Sequence, residues 1–535
     1  MTKRNPSSEC GSEGLAVRSR RNRRAPADPS ARSPKGRRLL AATLRTATLQ
    51  TWIPLAIFLG AAFATAPPAQ AQITESEYTQ RRAAVAERIR DGFMVVEGAP
   101  EPKHDYEDFV QDPNFLYLTG LHEQDAVLVL VKRDGLVTQT LFVAPRDPAR
   151  EVWSGILLGV EGAAERTGLA TRDHSDVERV VDSLAAALPL VYLPGGRGEI
   201  FLRLRNRGSP EIVNADRLIA GLRARKSPAE LDLLRKAIAI TVDAQVLAMR
   251  SISPGMNEFE VEALIEYTFR RNGADRPAFA SIVGSGPNST TLHYNRNDRF
   301  MNTGELVVMD VGASYRGYAA DVTRTVPVSG VFSPEQRAIY QLVRDAQAAA
   351  ERVARPGANS MAMNLAVDSV IKHGLAALGL IESADAVYDC GNDQRAATCP
   401  QYRLYYIHGL GHGIGLDVHD PGTSGIQPGI LAPGDAFSIE PGVYVRANLL
   451  DIIPASARND AMKARIASAV WHYANIGVRI EDDYLVTDSG VEWASGAPRE
   501  IAEIEAVMRD RVDVPRDPDK IDWYRATEPA PRAPR

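Results

Sequence analysis

The chain predicts an α/β domain over residues 72–222 followed by an α+β domain over residues 223–510. Three observations carry that fold class. Before residue 222, short apolar runs (GFMVVEG, NFLYLTG, DAVLVLVKRDG, QTLFVAP, LVYLPG) alternate with helical stretches, as in a sheet layered with helices. The stretch beginning LRARKSPAELDLL changes to the period of two amphipathic helices. From residue 278 onward short strands and turns dominate, with one long helical region near 334–380. At 535 residues the chain exceeds one simple core, so two domains with appendages are expected.

In chain order, residues 1–71 read as a leader. Residues 1–51 carry twelve Lys and Arg against three Asp and Glu, a net +9, so the rest carries −14 of the total −5. A body that acidic is a poor match for nucleic acid. The apolar stretch 52–66 (WIPLAIFLGAAFATA) has signal-peptide length and is short for a membrane span. Ala69 and Ala71 complete an A-x-A pattern, so export with cleavage after Ala71 is expected, to a periplasmic or secreted location, with no stable membrane span afterwards. Cys10 leaves with that leader. Cys390 and Cys399 then flank a short polar loop, either as a disulfide or as two free thiols.

The mature chain opens on a helical run, Ser76 to Arg90, before the strand-like segments. Ser227 caps the first of the later two helices, with Pro228 at its first position and Glu230 three residues on, and Pro254-Gly255 separates the pair. Residues 511–535 read as a proline-rich tail.

The second half holds the chemistry. Asp310 closes the apolar run ELVVMD and Asp321 opens DVTRTV, so a hairpin would bring both carboxylates to one end of a sheet. His412 lies among Gly409, Gly411, Gly413 and Gly415, which allow close backbone approach. Glu440 precedes Pro441-Gly442, and Glu481 follows the strand-like GVRI beside Asp482 and Asp483. Each residue alone is an ordinary turn former or polar surface group. Together, four carboxylates and one imidazole suit two adjacent divalent cations, Mn²⁺ before Zn²⁺, Co²⁺ or Fe²⁺. Three of the nine histidines, His408, His412 and His419, fall within twelve positions amid glycines and apolar residues.

The phrases VVMDVGASYRGYAADVTRT, HGLGHGIGLDVHD, SIEPGVY and VRIEDDYLVT resemble the pita-bread metallopeptidases, in the Xaa-Pro aminopeptidase (aminopeptidase P) and prolidase branch. The upstream phrases QDPNFLYLTGLHEQDAVLVL and LFVAPRDPAREVWSG are similar to the N-terminal domain of the same branch. The resemblance spans about 75–510. It implies a creatinase/aminopeptidase-like catalytic domain with Asp310, Asp321, His412, Glu440 and Glu481 as ligands of two divalent metals. It also implies that His293, His408 and His419 orient substrate and manage protons, and that Glu440 accepts the proton of a metal-bridging hydroxide. Arg479 would fix the ligand carboxylates, and Tyr444 would reach them with its hydroxyl. The implied substrates are peptides with proline at the second position, and the implied assembly is a homo-oligomer, dimer or tetramer.

Two departures stand out. Asn114 replaces an acidic residue frequent in relatives, in a loop expected to overhang the site, and residues 445–475 form an insert expected to be a flap or an oligomer contact. The competing readings are an Xaa-Pro dipeptidase (prolidase) and, more remotely, a non-catalytic pita-bread binding module or a creatinase-like amidinohydrolase.

Overall fold

The computed structural model describes residues 72–104, 107–195, 198–391, 397–422 and 429–516. The leader, its cleavage site and most of the proline-rich tail lie outside the described residues. Among the described residues no helix is long and apolar enough to cross a membrane.

The first layer is a six-stranded sheet: β1 (Gly92–Glu97), β2 (Val127–Arg133), β3 (Leu136–Val143), β4 (Ala170–Asp173), β5 (Leu190–Leu193) and β6 (Glu211–Asn214), in the order β4-β3-β2-β1-β5-β6. The central strand β1 runs antiparallel to β2 and parallel to β5. Both its faces are covered: Phe93 and Val95 enter one apolar cluster, Met94 and Val96 the other. That explains its unbroken hydrophobic run.

The segment NFLYLTG, expected as a strand, is the helix Pro113–Thr119. Its ends outvote its aromatic interior. Asp112 Oδ1 accepts from the Asn114 and Phe115 amides, Pro113 occupies the first position, and Gly120 closes the helix at φ 66°. Asn114 therefore sits in a helical first turn and is not among the residues lining the metal cavity described below, in place of the expected overhanging loop.

The two amphipathic helices form as expected, Pro228–Ser251 with the Ser227/Glu230 capping box and Glu258–Arg271. The long helical region divides into Pro334–Val353 and Ser360–Ala377, broken at Pro356-Gly357. Antiparallel pairings around one large core include Leu306–Val311 with Val322–Pro327, Ala436–Ile439 with Asp482–Thr487, and Gly442–Val445 with Ile476–Arg479. Gln245, buried in the first helix, donates to Met309 O (3.0 Å) and Val322 O (2.8 Å), locking the helix to the strands that carry the two aspartates.

The insert is no flap. Its helix Ala457–His472 sends Met462, Ile466 and Val470 into the core. Ser456, Arg458 and Asn459 grip Asp389, beside the disulfide that joins Cys390 to Cys399.

Candidate metal centre

Strand pairing assembles the site. Asp310 sits opposite Thr323, and Asp321 immediately precedes the paired strand, so the expected hairpin geometry brings both carboxylates together. His412 and Glu440 meet by a different route. The segment 410–414 runs beside strand Ala436–Ile439, with Glu440 N donating to Leu410 O (2.8 Å) and Ser438 N to His412 O (2.9 Å). A side chain at Gly411 would place its Cβ 2.1 Å from Ser438 O, and one at Gly413 would lie 2.4 Å from Asp420 O. Gly411 and Gly413 thus answer to this close backbone approach, whereas Gly409 has open space around it. Glu481 comes from the turn before Asp482–Thr487, its amide donating to Thr323 O (3.1 Å).

His412 shows what the cluster lacks. Its Nδ1 lies 3.1 Å from Gly413 O, which makes Nδ1 the protonated nitrogen of a neutral ring and leaves a lone pair on Nε2. Burial holds the ring neutral, with its pKa lowered to about 4. That lone pair faces Asp321 Oδ2 at 3.5 Å, Glu440 Oε1 at 3.6 Å and Glu481 Oε1 at 3.8 Å. Four electron-rich atoms facing one another call for protons or a cation among them. Asp310 Oδ1, Asp321 Oδ1 and Glu481 Oε1 are buried and accept no hydrogen bond among the described residues. The donor set, imidazole nitrogen with carboxylate oxygens, suits a divalent transition metal. The residues fit the group.

The electrostatics of the metal-free polypeptide agree. Burial raises Asp321 and Glu481 well above the carboxylate range, with the other carboxylates adding to the shift. Glu440 is pushed up to about 8 by burial and by Asp310, against the opposing pull of Arg479. Such crowding resolves either by protonation or by bound cations.

The surrounding shell is ordered. Arg479 reaches Asp310 Oδ2 (2.5 Å), Tyr444 Oη (2.9 Å) and Thr323 Oγ1 (3.3 Å). Thr323 in turn donates to Glu481 Oε2 (2.8 Å), so one guanidinium steadies two carboxylates, one of them through a hydroxyl. Tyr444 does not meet a ligand carboxylate: its hydroxyl lies between Arg479 and His408 Nε2 (2.8 Å). Since His408 Nδ1 faces Gly409 O at 2.8 Å, Nε2 accepts the tyrosine proton. The His419 ring lies 4.2 Å from that of His412, centroid to centroid, and His293 lines the same cavity. That cavity, of about 590 Å³, is walled on its apolar side by Phe279, Ile282, Leu292 and Val418.

Thr323 and these wall residues escaped the sequence reading. Thr323 is two positions after Asp321 on the same strand face, a period-two signal that could have found it. The apolar wall is scattered over distant loops and left no local signal.

Comparison with known proteins decides the family. The pattern of metallopeptidase family M24 matches residues 232–488, and that of the aminopeptidase P N-terminal domain matches residues 78–192. The chain is 33% identical over 460 residues to an Xaa-Pro aminopeptidase of Escherichia coli (strain K12), across 82% of this chain and 98% of that protein. The chain belongs to metallopeptidase family M24. Within M24 it falls in the Xaa-Pro aminopeptidase branch and is a metal-dependent exopeptidase. The Xaa-Pro aminopeptidase of Haemophilus influenzae is 34% identical over 450 residues, again across 82% and 98% of the two chains. Among solved structures, E. coli aminopeptidase P with the inhibitor Pro-Leu superposes with a TM-score of 0.71 at 32% identity, covering 82% of this chain and 99% of that one. The zinc-substituted E. coli aminopeptidase P in complex with product reaches a TM-score of 0.70 at 31% identity, with the same coverage. M24 membership implies bound divalent metal, in keeping with the donor set described above.

Proposed function

We propose that the chain is an exported Xaa-Pro aminopeptidase that holds two divalent cations, manganese by preference, and removes the N-terminal residue preceding proline from peptides longer than a dipeptide. The observation that carries this reading is the buried cluster of Asp321, His412 and Glu481 facing a cavity with an apolar wall. Asp321, His412 and Glu481 would hold one cation, with Asp310 and Glu440 completing the set for two. When bound, such cations polarise the scissile carbonyl and make hydroxide available near neutral pH.

The chain's own groups do the rest. Glu440 takes the proton of the attacking water on a carboxylate oxygen and returns it to the proline nitrogen as the peptide bond breaks. A prolyl nitrogen leaves as a secondary amine, so this proton delivery is obligatory. His293 and His419, on the cavity wall, orient the carbonyl and stabilise the charge that develops on its oxygen. Arg479 and Tyr444 keep Asp310 and His408 in place. Phe279, Leu292 and Val418 offer the pyrrolidine ring an apolar surface.

The test is hydrolysis of Gly-Pro and of a longer peptide beginning Arg-Pro-Pro, with and without chelator. Chelator-sensitive release of arginine from the longer peptide is expected. Cleavage of the dipeptide alone would instead assign prolidase activity, and no chelator-sensitive cleavage would remove the reading altogether. Export is supported by the basic head, the apolar run and the A-x-A pattern. A periplasmic or secreted form beginning at Gln72 on N-terminal sequencing is the expected result. Self-association as a dimer or tetramer is checked by light scattering.

A further inference from the structure

We infer that Arg223 and Lys226, at the joint between the two domains, are positioning residues for His419. The inference rests on the placement of His419 in the substrate cavity proposed above. Arg223 ends the helix Asp216–Arg223, the last element before the catalytic region, and its side chain is only 5% exposed. Its guanidinium contacts Asp417 Oδ2 (2.7 Å), Asp420 Oδ1 and Asn114 Oδ1 (2.9 Å). Lys226 Nζ takes the other oxygen of Asp420 at 2.9 Å, and both side chains are 1% exposed. Two cations from the domain joint thus converge on one carboxylate, and Asn114 adds an acceptor from the helix Pro113–Thr119.

Asp420 is the residue that follows His419. Its amide donates to Gly413 O (2.8 Å), and the Asp417 amide returns to its Oδ1 (3.1 Å). The loop 413–420 is therefore closed on itself, with His412 just before one end and His419 at the other. The 4.2 Å spacing of those two rings depends on where Asp420 sits. Buried ion pairs add little net stability, because desolvation offsets the attraction, and what this one fixes is the position of Asp420. A pair serving only to join the domains could lie anywhere along the joint. This one ends beside a cavity residue.

The test is a double-mutant cycle on the metal-loaded full chain. Arg223→Lys keeps the charge but loses the fork that reaches three acceptors at once. It should lower kcat about 10- to 100-fold, on the scale of an ångström-level misplacement, with KM changed less than about 2-fold. In a His419→Ala background the same substitution should cost less than about 2-fold in kcat, because it acts through that ring. Metal content by mass spectrometry and the melting temperature should stay near wild type. Asp417→Asn, at a half-exposed acceptor, should show a weaker loss of the same pattern and serves if Arg223→Lys does not fold. Equal losses in both backgrounds, or an unchanged kcat in Arg223→Lys, would overturn the inference while leaving the metal centre intact. A silent His419→Ala would overturn the role of His419 itself and the inference with it.

Discussion

Replacing Glu440 by glutamine should make the metal-free protein more stable at alkaline pH, although it removes the proposed proton acceptor. Burial and the charge of Asp310 raise the Glu440 pKa from its ordinary 4.5 to about 8, against Arg479. A carboxyl with a raised folded pKa stabilises the fold fully below its unfolded pKa. That contribution is lost as pH rises through the folded pKa, because the unfolded chain releases its proton first. The relevant window therefore runs from about pH 4.5 to about pH 8. Each unit is worth about 1.4 kcal/mol, which sets an upper bound near 5 kcal/mol. The side chain keeps 19% exposure and shares its protons with neighbouring carboxylates, so about 3 kcal/mol is the working figure. With an unfolding entropy of about 2.1 cal/mol/K per residue, the shift in melting temperature is roughly 3 °C for a chain of this size. Chelated, dialysed wild type and Glu440→Gln would be melted at pH 4.5 and pH 8.5. Coincidence at the lower pH and a more stable variant at the higher one are expected. A variant no more stable than wild type at pH 8.5 would refute the reasoning, since the carboxylate would then carry no burial strain.

Three further outcomes follow from other parts of the fold. Cys390→Ser should destabilise the oxidised protein by about 2.5 kcal/mol in chemical denaturation, the loop-closure value for a bridge spanning nine positions, and reductant should erase the difference from wild type. Gly411→Ala should lower the yield of folded protein or cost about 3 kcal/mol or more, since its methyl meets a backbone carbonyl at 2.1 Å, while Gly409→Ala, with open space around it, should be tolerated. Arg479→Lys should reduce turnover about 10- to 100-fold, because an ammonium cannot serve Asp310, Tyr444 and Thr323 together; unchanged kinetics would show that one point charge suffices.

The cluster of Asp310, Asp321, His412, Glu440 and Glu481 was legible because its chemistry is carried by residue type inside short phrases. Asp310 and Asp321 are joined by strand pairing within one hairpin-like unit, and the apolar runs that end at one and begin after the other sufficed to place them. His412 and Glu440 were legible by residue type, while the backbone ladder that joins them was not, since segment 410–414 is not itself a regular strand. The misreading of NFLYLTG has a local cause: propensity favours a strand, and two end caps decide for a helix. Strands β4 (ATRD) and β6 (EIVN) went unread because four-residue edge strands carry too little alternation to register. The Arg223–Asp420 pair was beyond reach for another reason. Its partners stand 197 positions apart, and nothing local marks which aspartate of LDVHD is structural.

The run Glu481-Asp482-Asp483 shows how neighbouring acids of the same type acquire opposite roles. Strand alternation sends Asp482 to the side away from Glu481. There Arg324 Nη2 and Arg499 Nη1 meet it at 2.6 and 2.8 Å, and Gln347 and Ser495 complete its hydrogen bonds. Burial alone would raise its pKa, yet the two guanidiniums outweigh burial and hold it low. Asp482 is thereby a neutralised anchor for the strand that carries Glu481. Among the described residues Glu481 receives only the Thr323 hydroxyl and leaves one buried oxygen without a donor, and it faces His412 and the other carboxylates. Asp483 returns to the side of Glu481, where its Oδ2 accepts from the Asp321 amide at 3.0 Å and sets the height of that carboxylate. A fold that can place two arginines on one buried carboxylate could have neutralised its neighbour in the same way. It has instead left the carboxylates around His412 short of donors, a deficit that a bound cation would fill.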